Sequence, residues 1–166
     1  MSNNIDDLGE LYDAWAVRIF NYARTITRNR ETAEDITHDV FLHAYKQAGR
    51  IVKMKKPGAY LMVMTRHHAY NLLKRVSRES VPLDEVHEAS VMSPNEHLLF
   101  EDAFASLPAK QRETVYLHLI CGFTYSEIAK MQNVHLITVK WRSGKAVFAK
   151  IKLQQKSAKN TAPRNW

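Results

Sequence analysis

The chain has 166 residues, 45% of them hydrophobic, and a formal charge of +7. That hydrophobic content excludes a chain disordered throughout, five Gly and five Pro argue against a turn-rich β protein, and the single cysteine, Cys121, excludes an intrachain disulfide. The opening stretch MSNNIDDLGELYDAW lacks the basic and apolar regions of a signal peptide, and no apolar run reaches the roughly 18–20 residues of a membrane span, so the expectation is a cytoplasmic protein without membrane insertion.

Apolar residues recur at helical spacing along most of the chain. The expected fold is all-α, with two small helical domains joined by an acidic linker. Leu8, Leu11, Tyr12, Trp15, Ile19, Tyr22, Ala23 and Ile26 form the first stripe, and Asp6 or Asp7 is placed to cap its start. A second helix is expected over 30–48, with Ala33, Ile36, Val40, Phe41 and Ala44 inward and Gly49 as its stop. A basic loop with Arg50, Lys53, Lys55 and Lys56 follows. Pro57 suits the first turn of a third long helix that runs to Arg78.

Between Glu79 and Ala109 there is no Lys or Arg, while Glu79, Asp84, Glu85, Glu88, Glu96, Glu101 and Asp102 are acidic. Pro82 and Pro94 interrupt any helix there, so 80–94 reads as an extended linker. A solvated acidic connection of no further role is a serious competing reading. Helices are expected again over 94–107, 108–121, 124–131 and 136–154. Gly122 suits a left-handed helix end, and Thr124 with Glu127 matches a capping box. Gly144 inside the last helix would cost about 1 kcal/mol against Ala. Residues 155–166 form a polar tail.

Residues 122–152, GFTYSEIAKMQNVHLITVKWRSGKAVFAKIK, read as a helix-turn-helix ending in a long basic helix. Tyr125 to Ala129 would form the first helix, with Ile128 and Ala129 inward. Met131-Gln132-Asn133-Val134 would form the turn, with Asn133 able to adopt the left-handed conformation. His135 would start the second helix. Val139 and Ala146 would pack inward, leaving His135, Thr138, Lys140, Trp141, Arg142 and Lys145 partly or fully outward. No acidic residue follows Glu127, and a one-signed positive field attracts a polyanion, DNA above all. The competing reading is a helical hairpin with a solvated basic face. The histidines give no metal site: His67 and His68 are adjacent and His118 with Cys121 is an i, i+3 pair, but no full ligand set has a recognisable spacing. Neither a phosphate loop nor a nucleophile motif is present. No metal, cofactor or catalytic residue is expected, and the chain does not read as an enzyme.

Both halves together resemble the extracytoplasmic-function (group IV) sigma factors of bacterial RNA polymerase. In the first half the resemblance rests on Ala33-Glu34-Asp35, His38-Asp39-Val40-Phe41, Tyr60-Leu61, Thr65-Arg66-His67, Ala69, Asn71, Lys74 and Arg75. In the second it rests on Leu107-Pro108, Arg112, Val115, Leu117, Gly122, Glu127-Ile128-Ala129, Thr138-Val139-Lys140, Arg142 and Ala146. Departures are His38 where the family often has Gln, Tyr60 for Trp, His67 for Asn, Asn71 for Asp, and His135-Leu136-Ile137 for a more polar stretch.

The resemblance implies a sigma region 2-like domain over 1–79, the linker over 80–94 and a region 4-like domain over 95–154. It implies docking on core RNA polymerase through Glu34, Asp35, His38 and Asp39. It implies recognition of the −10 element as single-stranded DNA through Lys53, Lys55, Lys56, Arg66, His67, Asn71, Lys74 and Arg75. The −35 element would be read through Tyr125, His135, Thr138, Lys140, Trp141, Arg142 and Lys145. Its expected partners are core polymerase, promoter DNA and an anti-sigma factor. The linker is expected to thread toward the polymerase active centre. The alternatives are a stand-alone helix-turn-helix regulator with an N-terminal interaction domain, and a recombinase fragment, whose nucleophile and clustered arginines are not found.

Overall fold

A computed structural model of the chain describes residues 4–78 and 104–144. The chain divides into two compact units, Met1–Glu88 and Ala89–Trp166, and every described element is helical.

The first unit holds α1 (Asn4–Thr27), α2 (Arg30–Lys46), the one-turn α3 (Ala48–Ile51) and α4 (Pro57–Arg78). The first stripe explains α1: Leu8, Leu11, Ile19, Tyr22, Ala23 and Ile26 are all buried. They meet Ala33, Ile36, Val40, Phe41 and Ala44 from α2 and Leu61, Met62, Thr65 and Ala69 from α4. Two members of the stripe depart from it. Tyr12 is half exposed at the groove edge, edge-on to Phe41 at 4.6 Å, and Trp15 is only partly buried. Asp6 and Asp7 lie inside the first turn rather than before it. There they complement the helix dipole instead of capping.

The chain turns from α1 to α2 through Arg28, whose φ of 56° is left-handed. Asn29 then caps α2, its side chain accepting from the Thr32 amide at 2.8 Å. Gly49 is not the stop of α2. That helix ends at Lys46, and Gly49 lies in α3, which brings Ile51 into the core with no exposure. Burial of Ile51 thus sets the break. Only glycine suits position 58, because a Cβ there would overlap the Trp15 indole.

In the second unit, α5 (Ala109–Val115) is followed by a π-helical turn over Tyr116–Ile120. Its mark is the Cys121 amide donating to the Tyr116 carbonyl five residues back at 3.2 Å. The expected single helix over 108–121 is therefore α-helical only in its first half. Cys121 is partly exposed. Gly122 takes a φ of 75°, which lets the chain reverse into α6 (Tyr125–Gln132) and then α7 (Leu136–Arg142). Leu107, Val115, Tyr116, Leu117, Phe123, Ile128, Ala129, Met131 and Val139 are buried. Arg112 is buried as well, its guanidinium donating to the Ala105 and Leu107 carbonyls at 3.3 Å. Gly144 follows the end of α7 rather than standing within it. The expected continuation of that helix, Ala146 and Lys145, the linker 80–94 and the tail 155–166 lie outside the described residues.

Candidate nucleic-acid and polymerase interfaces

The helix-turn-helix is built by local hydrogen bonds before packing adds to them. Thr124 accepts from the Glu127 amide at 3.3 Å, and the Glu127 carboxylate accepts from the Thr124 amide at 2.9 Å. This is the reciprocal capping box. At the other end of α6, Asn133 is left-handed, with φ 52° and ψ 53°. The Val134 amide donates to Ala129 O at 3.0 Å and the Asn133 amide to Lys130 O at 3.2 Å, the paired bonds of a Schellman motif. The chain is thereby aimed into α7, with His135 at its N-cap. Ile128 and Val139, both without exposure, join α6 to α7.

On α7, His135, Lys140 and Trp141 are exposed and Thr138 is partly buried. Arg142 is partly buried too, and its guanidinium donates to Gln132 Oε1 at 3.0 Å. Gln132 is itself buried, with its Nε2 donating to Thr114 Oγ1 at 3.2 Å. A polar chain thus runs from α5 through α6 to the guanidinium, and sequence periodicity gave no sign of it. Tyr125 stands 4.3 Å from the His118 ring, centroid to centroid. His118 Nδ1 lies 2.8 Å from Phe123 O, and since a carbonyl only accepts, that nitrogen carries the proton. Lys145 lies outside the described residues.

Two further surfaces belong to the first unit. His67, Asn71, Lys74 and Arg75 are exposed on α4, and Arg66 lies over the Tyr70 ring at 4.6 Å. Lys53, Lys55 and Lys56 are exposed in the segment between α3 and α4. Glu34, Asp35, His38 and Asp39 are exposed along α2, where Glu34 pairs with Arg30 at 2.9 Å. Beside them, α1 and α2 leave an open groove of about 560 Å³, lined by Tyr12, Val17, Phe20, Phe41 and Leu42 and rimmed by Glu34 and His38. The sequence reading missed this groove, although Val17 and Leu42 are apolar positions outside the inward stripes. Among the described residues no group of His, Cys, Asp or Glu is placed to hold a metal, and no helix is long and apolar enough to cross a membrane.

Two family models match this architecture: Sigma-70 region 2 over residues 11–79 and Sigma-70, region 4 over 97–142. A curated relative, the ECF RNA polymerase sigma factor SigK of Mycobacterium sp. (strain KMS), is 26% identical over 151 residues, 84% of this chain and 78% of its own. The chain belongs to the extracytoplasmic-function sigma factors. Another relative of this sigma factor is BldN of Streptomyces coelicolor, 26% identical, with 86% of this chain and 58% of that protein covered. In fold, the sigma factor matches RpoE as solved in complex with the anti-sigma factor NepR from Bartonella quintana. The TM-score is 0.69 at 20% identity, over 95% of this chain and 99% of that one. Sigma factors are transcription initiation factors, and this one directs promoter-specific transcription by RNA polymerase. A stand-alone regulator is not favoured, because both sigma regions are present in order.

Proposed function

We propose that the two units divide the promoter between them, with the first unit over 1–79 and the second over 95–154. The first docks on core polymerase through Glu34, Asp35, His38 and Asp39, whose carboxylates suit arginines on a partner helix. It holds the −10 element as single-stranded DNA between the lysines at 53, 55 and 56 and the α4 face of Arg66, His67, Asn71, Lys74 and Arg75. His67 and Asn71 address base edges, while Lys74 and Arg75 address phosphate. The second unit lays α7 in the major groove of the −35 element, where Lys140 binds backbone phosphate and Arg142, held by Gln132, reaches a base or phosphate. Tyr125, His135, Thr138 and Trp141 complete that surface, and Lys145 is assigned to it from the sequence. Linker 80–94 connects the two activities.

Polymerase supplies all the chemistry, and this chain carries no catalytic residue. It acts in the cytoplasm, where promoter and polymerase are found. An anti-sigma factor restrains it by covering polymerase-binding surface, a reading supported by the fold match to RpoE, which was solved with NepR.

The observation that carries this reading is α7, aimed by the capping box and Asn133 with Lys140 exposed on it. Run-off transcription with core polymerase tests it. The expected result is a discrete transcript that requires both promoter elements. Binding of duplex DNA as tight without polymerase as with it, and no transcript, would return the chain to the stand-alone regulators.

A further inference from the structure

Among the described residues, the most exposed large hydrophobic side chains are Trp141 at 74% and Ile137 at 72%. Both lie on α7. Each stands two residues from Val139, which has no exposure. At about 100° per residue the pair therefore straddles the line opposite the buried face. Four residues apart, they form one ridge. Lys140 is exposed beside it, whereas Arg142 is turned partly inward to Gln132. The outermost part of the helix is thus apolar and its flank is basic.

Charge decides what such a ridge meets. No acidic residue follows Glu127 in the whole chain. An apolar protein partner that buried the ridge would also strip water from Lys140. A DNA major groove supplies both needs. Its phosphates pair with the lysine, and its floor presents one apolar group, the 5-methyl of thymine. We propose that Ile137 and Trp141 are specificity-determining residues that read thymine through its methyl group, so that this helix selects A·T pairs by apolar contact. The proposal rests on α7 being the −35 reader.

The test uses holoenzyme assembled from the full chain and core polymerase, with a −35 element selected from random duplexes. Each thymine is replaced in turn by deoxyuridine, which deletes the methyl and keeps the base pairing. The expected result is binding weakened about four-fold at one or two positions, the effect of one methyl-sized apolar group. That penalty should vanish in Ile137→Ser at one position and in Trp141→Ser at the same or a neighbouring one. The scan with the unaltered protein stands whether or not either variant folds. Equal binding of thymine and deoxyuridine everywhere, or a selected element of G·C pairs alone, overturns the proposal. So does a methyl response that survives unchanged in both variants, which would mean that other residues read the methyl. If −35 selection persists without any methyl response, this inference fails and α7 remains the reader. If no −35 selection is found, both fail.

Discussion

The two helices proposed to face DNA differ in what they turn outward. On α4 the exposed residues His67, Asn71, Lys74 and Arg75 are all polar, while Leu61, Met62 and Ala69 go to the core. On α7 the outermost positions are Ile137 and Trp141, while the arginine is drawn back onto a buried glutamine. A single strand offers bases with every edge open, which suits hydrogen-bonding groups and stacking surfaces. A duplex groove offers a fixed wall of donors, acceptors and methyls. These outward chemistries are the ones that the proposed division of labour calls for.

Reversing charge on α2 should have the largest effect. Asp35→Arg with Asp39→Arg should weaken core polymerase binding about a hundred-fold, because opposed like charges cost several kcal/mol. Both residues are exposed, so the circular dichroism spectrum should not change. Undiminished co-purification with polymerase would remove α2 from the docking surface.

Next in size, Gly58→Ala should destabilise the first unit by about 2 kcal/mol, within the range for overpacking, because the new Cβ must displace the Trp15 ring. Urea unfolding followed by probes in each unit should show the loss in the first unit. An equal loss in both would mean that they unfold together.

The third experiment probes how Arg142 is held. Arg142→Ala should cost about 1–3 kcal/mol in −35 binding. Gln132→Ala should cost less, and adding it to Arg142→Ala should cost almost nothing more in DNA binding, since Gln132 acts through the guanidinium. Strictly additive losses in affinity would make Gln132 a packing residue only. Lys140→Ala, by comparison, should weaken all sequences alike and lower the salt slope by about 1, as loss of one phosphate contact does.

The smallest effects are local. Thr124→Ala should cost about 1 kcal/mol by opening the capping box, read as a lower melting temperature of the second unit. Arg28→Gly should raise stability of the first unit by a few tenths of a kcal/mol, because glycine accepts the left-handed turn without strain. A melting temperature that falls with Arg28→Gly would mean that the arginine side chain contributes more than its backbone costs.

How far the fold was legible follows from where each signal resides. The capping box and the left-handed Asn133 are signals of a few adjacent residues, so Thr124, Glu127 and Asn133 could be read directly. The apolar stripes of α1 and α2 were legible for a similar reason, since periodicity sums over many residues. The break at Lys46 was not, because it answers to the burial of Ile51 rather than to Gly49. Nor was the π-helical turn, which no local residue pattern announced. At the site, the exposed basic and polar residues were legible as residue types. The tether from Arg142 through Gln132 to Thr114 was not, because it joins positions 18 and 10 residues apart across three helices. Trp141 was legible as an outward residue, whereas Ile137, 72% exposed, was legible only as part of a stretch less polar than the family's.

The seat of Trp15 on Gly58 has an optical consequence. The chain holds three tryptophans, at 15, 141 and 166. With Trp141→Phe and Trp166→Phe, Trp15 becomes a lone fluorophore whose emission tracks the contact between α1 and α4. With Trp15→Phe and Trp166→Phe, the exposed Trp141 reports from the opposite unit. Each variant thus carries one lamp in one unit, and comparing when the two dim on a promoter would time the engagement of one element against the other.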